Sequence, residues 1–149
     1  MKQTNQIRIG IVSSNFRSDV SDNLEKNCLE AFQQNGVATS QIDIVRVPGA
    51  MEIPLLVQKL AKSKKYDAII TFGAIVKGKT YHFEQIADEC ARGCMDASWK
   101  YSIPVIFEVL AVYDLADALD RATRQDENKG IEAAETALRM IELMNQDNA

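Results

Sequence analysis

The run Lys77-Gly78-Lys79-Thr80-Tyr81-His82 gathers most of the residue types that chemistry could use in this chain. His82 is the sole histidine. An imidazole is the side chain whose ordinary pKa lies near enough to neutrality to give and take protons unaided. Gly78 frees the backbone, Lys79 brings a positive charge and Thr80 a hydroxyl. Beside a helix N-terminus, that set suits an anionic group such as a phosphate. Strand–helix junctions often carry such residues without binding anything, and a histidine in a first helical turn is commonly a surface residue. The run therefore takes its meaning from its surroundings.

Upstream, Tyr66-Asp67-Ala68-Ile69-Ile70-Thr71-Phe72 reads as a buried strand. Downstream, Phe83, Ile86, Ala87, Cys90, Ala91 and Cys94 recur at helical spacing. The spacing predicts a strand ending at Phe72, a loop from Gly73, and a helix with Thr80 as N-cap and His82 in its first turn, running to about Tyr101. Ile7, Ile9, Ile11 and Val12 predict an earlier strand, followed by a helix with Val20, Leu24, Cys28, Ala31 and Phe32 on one face, ended by Gly36. Ile42, Ile44, Val45 and Val47 predict the next strand, broken by Pro48-Gly49, and a helix starts near Pro54. Ile103 to Leu110 predicts a fourth strand, with Pro104 near its start, where a missing donor is tolerated. Asp114 caps a helix carrying Leu115, Ala118, Leu119 and Ala122. Asn128-Lys129-Gly130 interrupts it, and a last helix runs from about Ile131 to Asn145, its stripe including Met144. Strand and helix alternate four times. That predicts an α/β three-layer sandwich with a four-stranded parallel sheet, flavodoxin-like, as one domain over residues 1–149.

In such a sheet the carboxyl ends of the strands share one edge, and ligands bind there. Three further stretches fall on that edge. Phe16 follows the first strand and could stack on a flat heterocycle, or fold back onto the sheet. Val47-Pro48-Gly49-Ala50-Met51-Glu52-Ile53-Pro54 is a turn stiffened by two prolines, and Glu52 is an acceptor suited to sugar hydroxyls or simply to a helix start. Phe107 and Glu108 belong to the fourth strand, and beyond them Arg121 and Lys129 are candidates for an anion. A guanidinium presents a planar fork that matches phosphate, although a solvated helix face would also carry both residues.

Composition narrows the classes. The net charge is −4, and the Lys62, Lys64, Lys65 cluster reads as a solvated turn, which argues against a nucleic-acid partner. No apolar stretch is long enough to cross a membrane, and the opening residues carry no apolar signal region. Cys28, Cys90 and Cys94 are odd in number, which predicts reduced thiols and a cytoplasmic location. Cys90 and Cys94 could supply two metal ligands from one helix face, but partners for them are not evident, so buried core thiols and no metal are expected.

Gly73-Ala74-Ile75-Val76-Lys77-Gly78-Lys79-Thr80-Tyr81-His82-Phe83 resembles a lumazine synthase signature. So do Phe16 after the first strand, the Pro48–Pro54 block, Val105-Ile106-Phe107, Arg121-Ala122 and Asn128-Lys129-Gly130-Ile131-Glu132-Ala133-Ala134, in order, from Ile7 to Met144. The resemblance implies the penultimate step of riboflavin biosynthesis. There, 5-amino-6-(D-ribitylamino)uracil condenses with 3,4-dihydroxy-2-butanone 4-phosphate to 6,7-dimethyl-8-ribityllumazine, phosphate and water, without cofactor or metal.

It further implies that Phe16 stacks on the pyrimidine, that Ala50 and Met51 with Glu52 hold the ribityl chain, and that Ala74, Ile75 and Val76 contact the pyrimidine. Lys79 and Thr80 would meet the butanone phosphate, Arg121 would pair with it, and Phe107 would wall the pocket from a neighbouring subunit. His82 would carry protons, with Lys129 a secondary electrostatic contributor. Pentamers with active sites between subunits are implied, in some members stacked into sixty-subunit shells, as is association with riboflavin synthase.

The sequence departs from the family at Arg17, where Asn is usual, at Lys77 in place of Arg, at Glu108 in place of Gly, and over Thr123–Glu127. Arg17 and Glu108 keep open a second expectation, a flavin- or lumazine-binding module on the same fold without turnover. A monomeric flavodoxin-like binding or signalling domain would need an acidic pocket or a Ser/Thr-rich phosphate loop after the first strand. Ser13-Ser14-Asn15 is only a weak version of the latter.

Overall fold

The computed structural model describes residues 2–146. Met1 and residues 147–149, which the expected domain includes, lie outside the described residues. Four strands, β1 (Ile9–Ser14), β2 (Ile42–Val47), β3 (Ala68–Val76) and β4 (Val105–Val112), form one parallel sheet in the order β2-β1-β3-β4. Five helices cover it: α1 (Ser18–Gln34), α2 (Ile53–Lys62), α3 (His82–Tyr101), α4 (Leu115–Thr123) and α5 (Lys129–Met144). This is the α/β three-layer arrangement the alternation predicts.

The two faces of the sheet hold separate cores. Ile9, Ile11, Ile70, Phe72 and Ile106 pack under α1, α4 and α5 with Leu24, Phe32, Ala134 and Ile141. Val12, Ile69, Val105 and Val109 pack under α2 and α3 with Ile53, Val57, Cys90 and Cys94. β1 and most of β3 are buried on both faces, which is why they read as continuous apolar runs. All three cysteines are fully buried free thiols. Burial holds the Cys28 thiol far above its ordinary range, and the Cys94 thiol is raised by its hydrogen bond with Cys90 and by burial.

Several boundaries differ from the sequence reading, and β1, β3 and β4 each begin two residues later than it has them, at Ile9, Ala68 and Val105. β3 does not stop at Phe72 but continues to Val76, because Gly73, Ala74, Ile75 and Val76 pair in register with Val109, Leu110, Ala111 and Val112 of β4. Gly73 is strand backbone held close to a neighbour: an added Cβ would come within 3.2 Å of the Ser14 side chain. β4 correspondingly runs to Val112 rather than Leu110. Thr80 is not the N-cap of α3. Tyr81 occupies that position with right-handed backbone and no side-chain cap bond, and His82 is the first helical residue. α5 begins at Lys129, not Ile131, because Asn128 is a true cap: its Oδ1 accepts from the Gly130 and Ile131 amides at 2.9 and 3.1 Å. The Asn128 amide nitrogen also donates to the carbonyls of Ala122 and Arg124 at 3.2 and 2.8 Å, tying the end of α4 to the start of α5.

Helix packing is closest at two glycines. A Cβ on Gly93 of α3 would lie 2.7 Å from Pro54 Cβ of α2, and one on Gly130 of α5 would run into the Leu24 carbonyl of α1. Both pairs of helices therefore approach nearer than any larger residue permits.

Candidate active site

The β1–α1 connection is fixed before any side chain acts. The amides of Asn15 and Phe16 donate to the carbonyls of Val47 and Pro48 at 2.7 and 3.1 Å, which clamps the end of β1 to the end of β2. Ser14 and Ser21 hold the same corner, Ser21 Oγ donating to the Ser14 carbonyl at 2.8 Å. Arg17 follows with φ 60° and ψ 51°, left-handed backbone that Asn tolerates better than Arg. Its guanidinium carbon stands 5.2 Å from the centre of the Phe16 ring, within cation–π reach. The Phe16 ring is 62% exposed, so it projects from the corner rather than folding back.

Next to it, Gly49 and the single 3-10 turn Ala50–Glu52 carry the chain from β2 into α2, with Pro54 in the first turn of that helix. On the other side, β3 ends at Val76, and Gly78 to Tyr81 lead to His82 at the start of α3. These segments enclose a cleft of about 580 Å³, within the usual range for small-molecule sites. Phe16, Ala50, Met51, Glu52, Ala74, Ile75, Val76, Thr80 and His82 all line it. Its position is the carboxyl edge of the sheet, beside the β1/β3 boundary where the strand order reverses. Because α3 lacks a side-chain cap, the helix starts with amides free to receive a ligand acceptor from the cleft.

Lys79 lies on the exposed loop but does not line the cleft, and Phe107 is half-buried among the apolar residues of the α2–α3 face. Arg121 and Lys129 line a second hollow of about 380 Å³ with residues Val109 to Tyr113 and Asp117. The two hollows share no residue. Between them stands a wall in which Lys77 Nζ lies 5.4 Å from the centre of the Tyr113 ring and 3.4 Å from Glu84, while Tyr113 rests 6.2 Å from Phe83. Arg121 donates to the Asp117 carbonyl at 3.0 Å, and Lys129 pairs with Glu132 at 2.8 Å.

Pro48, Gly49 and Gly78, read from the sequence as a stiff turn and a loop at the ligand edge, also line the cleft, whereas Arg17, Phe83 and Ile86 were not expected as its walls. For Phe83 and Ile86 the helical stripe was visible, but it read as core. Tyr113, beyond the end of β4, gave no signal. Among the described residues there is no cluster of His, Cys, Asp and Glu arranged to hold a metal, and no helix is long and apolar enough to cross a membrane.

Fold and cleft define the class: a parallel-sheet α/β protein with an aromatic ring, a stiff turn and an imidazole around one small-molecule site. A family model described as 6,7-dimethyl-8-ribityllumazine synthase matches residues 6–145, nearly all of the chain. The protein belongs to that family, which places it in riboflavin biosynthesis.

Proposed function

We propose that the protein condenses 5-amino-6-(D-ribitylamino)uracil with 3,4-dihydroxy-2-butanone 4-phosphate to give 6,7-dimethyl-8-ribityllumazine, phosphate and water. The observation that carries this reading is the gathering of Phe16, the Ala50–Glu52 turn, the end of β3 and His82 around one cleft in a chain of this family. Phe16 stacks on the pyrimidine, and Ala74, Ile75 and Val76 support its edge. The Ala50–Glu52 turn receives the ribityl hydroxyls.

The amine of the pyrimidine attacks the ketone to give an imine with loss of water, phosphate then leaves, and the ribityl-bearing nitrogen closes the ring on the remaining carbonyl with loss of a second water. Protons move at each step, and the His82 imidazole on the cleft wall is the group that carries them. Holding the two reactants in register supplies much of the remaining acceleration.

Arg121 and Lys129 form the phosphate half-site. They lie beyond the Lys77–Tyr113 wall, in a hollow of their own, and this supports an assembly in which the hollow of one subunit completes the cleft of its neighbour. A charge-assisted pair from Arg121 stabilises the leaving phosphate as negative charge builds on it. Phe107 and Lys79 act from the rim of the same composite site. The assembly is a pentamer.

The test is direct. Purified protein mixed with both substrates should form the lumazine chromophore and release phosphate in equal amounts. Protein that binds riboflavin or the lumazine but forms no product from the two substrates would establish the binding-module reading instead. A monomeric mass in solution with full turnover would remove the shared-site arrangement.

A further inference from the structure

The Phe16 ring stands on a corner that is fastened on both sides. Ahead of it, the Asn15 and Phe16 amides are bonded to the end of β2. Behind it, Arg17 turns the chain in left-handed backbone and α1 begins. The ring is largely exposed, so the core does not set its direction. That direction follows the angle at which α1 leaves the sheet.

A side chain of β2 fixes this angle. Arg46 lies in register with Ser13 of β1, next to the end of that strand. Its Nη2 meets Asp22 at 2.6 Å and Glu25 at 2.7 Å, both in the first half of α1. Its Nη1 donates to Asn15 Oδ1 at 3.4 Å. One guanidinium thus ties residues before and after Phe16 to the strand that leads into the Ala50–Glu52 turn. Its planar fork of donors can serve several acceptors at once, which a single ammonium does less well. The Arg46 and Glu25 side chains are 26% and 13% exposed, whereas Asp22 is open to solvent at 65%. Among the described residues, Arg46 is the only cation within ion-pair distance of Glu25. Without that cation the Glu25 carboxylate is left buried and unpaired, and it reaches water only by moving this part of α1.

We propose that Arg46 is a positioning residue for the pyrimidine, a role that rests on the reading of Phe16 as the stacking ring. Arg46 does not line the cleft, and it acts through Phe16 by holding the corner at the angle that presents the ring. His82 and the end of β3 belong to elements that Arg46 does not touch, so proton transfer and the phosphorylated substrate are outside its reach.

The probe is 6,7-dimethyl-8-ribityllumazine, titrated by calorimetry beside steady-state kinetics. Arg46→Met removes the charge and keeps most of the length. It should weaken lumazine binding and raise KM for the pyrimidine by roughly tenfold, the worth of a good aromatic stacking contact. The kcat and the KM for the phosphorylated substrate should stay within about twofold. Arg46→Lys should recover part of the loss. Phe16→Ala should weaken lumazine at least as much as Arg46→Met, and adding Arg46→Met to it should cost nothing further, because the loss runs through the ring. Arg8→Met breaks the Arg8–Asp43 pair at the opposite edge of the sheet and should leave lumazine affinity unchanged.

Phe16→Ala that weakens binding while Arg46→Met does not overturns the positioning role alone. So do losses that add in the double variant, or an Arg8→Met loss as large as that of Arg46→Met. Phe16→Ala that binds lumazine as well as the unaltered protein overturns the stacking reading beneath it. Should Arg46→Met fail to fold, Glu25→Gln replaces it in the same cycle, with a smaller loss expected and the same non-additivity with Phe16→Ala; an unchanged affinity there overturns the role.

Discussion

Replacing Gly93 with Ala tests whether the cleft is held by helix packing rather than by its own side chains. The added Cβ would stand 2.7 Å from Pro54 Cβ and 3.0 Å from Pro54 Cγ. Carbon atoms in ordinary contact sit about 3.5 Å apart or more, so α2 and α3 must separate by roughly 0.8 Å. Pro54 is a rigid ring in the first turn of α2 and cannot swing aside. Overpacking of this kind costs about 1–3 kcal/mol, and the better helix propensity of Ala returns about 1 kcal/mol. The net loss is therefore about 0–2 kcal/mol, read in urea at fixed protein concentration, with Tm lower by no more than about 8 °C.

The effect on turnover should be larger than the effect on stability. α2 carries the Ala50–Glu52 turn at its start and α3 carries His82 at its start, so separating the helices widens the cleft between ribityl and proton-carrying groups. A misplacement approaching 1 Å can cost about a hundredfold, so kcat/KM should fall by roughly tenfold to a hundredfold in a folded protein. A Gly93→Ala protein with unchanged turnover and unchanged stability would refute the reasoning.

His82→Ala should lower kcat by about a hundredfold to ten-thousandfold in a steady-state assay and leave measurable turnover, because positioning survives; complete loss with the fold intact would reject that division of labour. Arg121→Ala should raise KM for the phosphorylated substrate by about tenfold to a hundredfold, the worth of a lost charge-assisted contact, with little change for the pyrimidine. Arg17→Asn should stabilise the protein by about 0.5–1 kcal/mol, because φ 60° suits Asn better than Arg; an unchanged denaturation midpoint would count against that account. Stability should also depend on Glu108. Its folded pKa of about 7 lies above the ordinary 4.5, so between these values the folded state holds a proton that the unfolded chain has released. The contribution is favourable at the acid end of that window and is lost as pH rises through about 7. Urea midpoints of the unaltered protein should fall more across it than those of Glu108→Gln.

Much of this was legible in the residues. Period-3.6 stripes on α1, α2 and α3, and β-branched runs between them, dictate an alternating fold without reference to anything else. Where the reading slipped, a tertiary partner overrode a local signal. Gly73 looked like the end of a strand, yet β4 supplies pairing partners as far as Val76. Thr80 had the chemistry of a cap, yet the backbone at Tyr81 is already helical, so Thr80 is left as cleft wall. Arg121 and Lys129 could be picked out as anion candidates, but their separation from His82 by the Lys77–Tyr113 wall depends on how α4 and α5 pack, which no spacing encodes. Arg17 could be flagged as unusual; that it sits in left-handed backbone beside the Phe16 ring could not.

The strand order β2-β1-β3-β4 has a consequence for the newborn chain. Every residue lining the cleft belongs to the portion translated before the middle of α3, whereas Arg121 and Lys129 arrive last. Between those events β3, the most thoroughly apolar strand, must wait on the ribosome with one flank unpaired while all 20 residues of α3 and then Val105–Val112 are made. An open flank of that kind recruits other strands readily. Slow codons placed ahead of Val105 would prolong the wait and favour inclusion bodies, whereas the finished sheet, with β4 docked, no longer offers that flank.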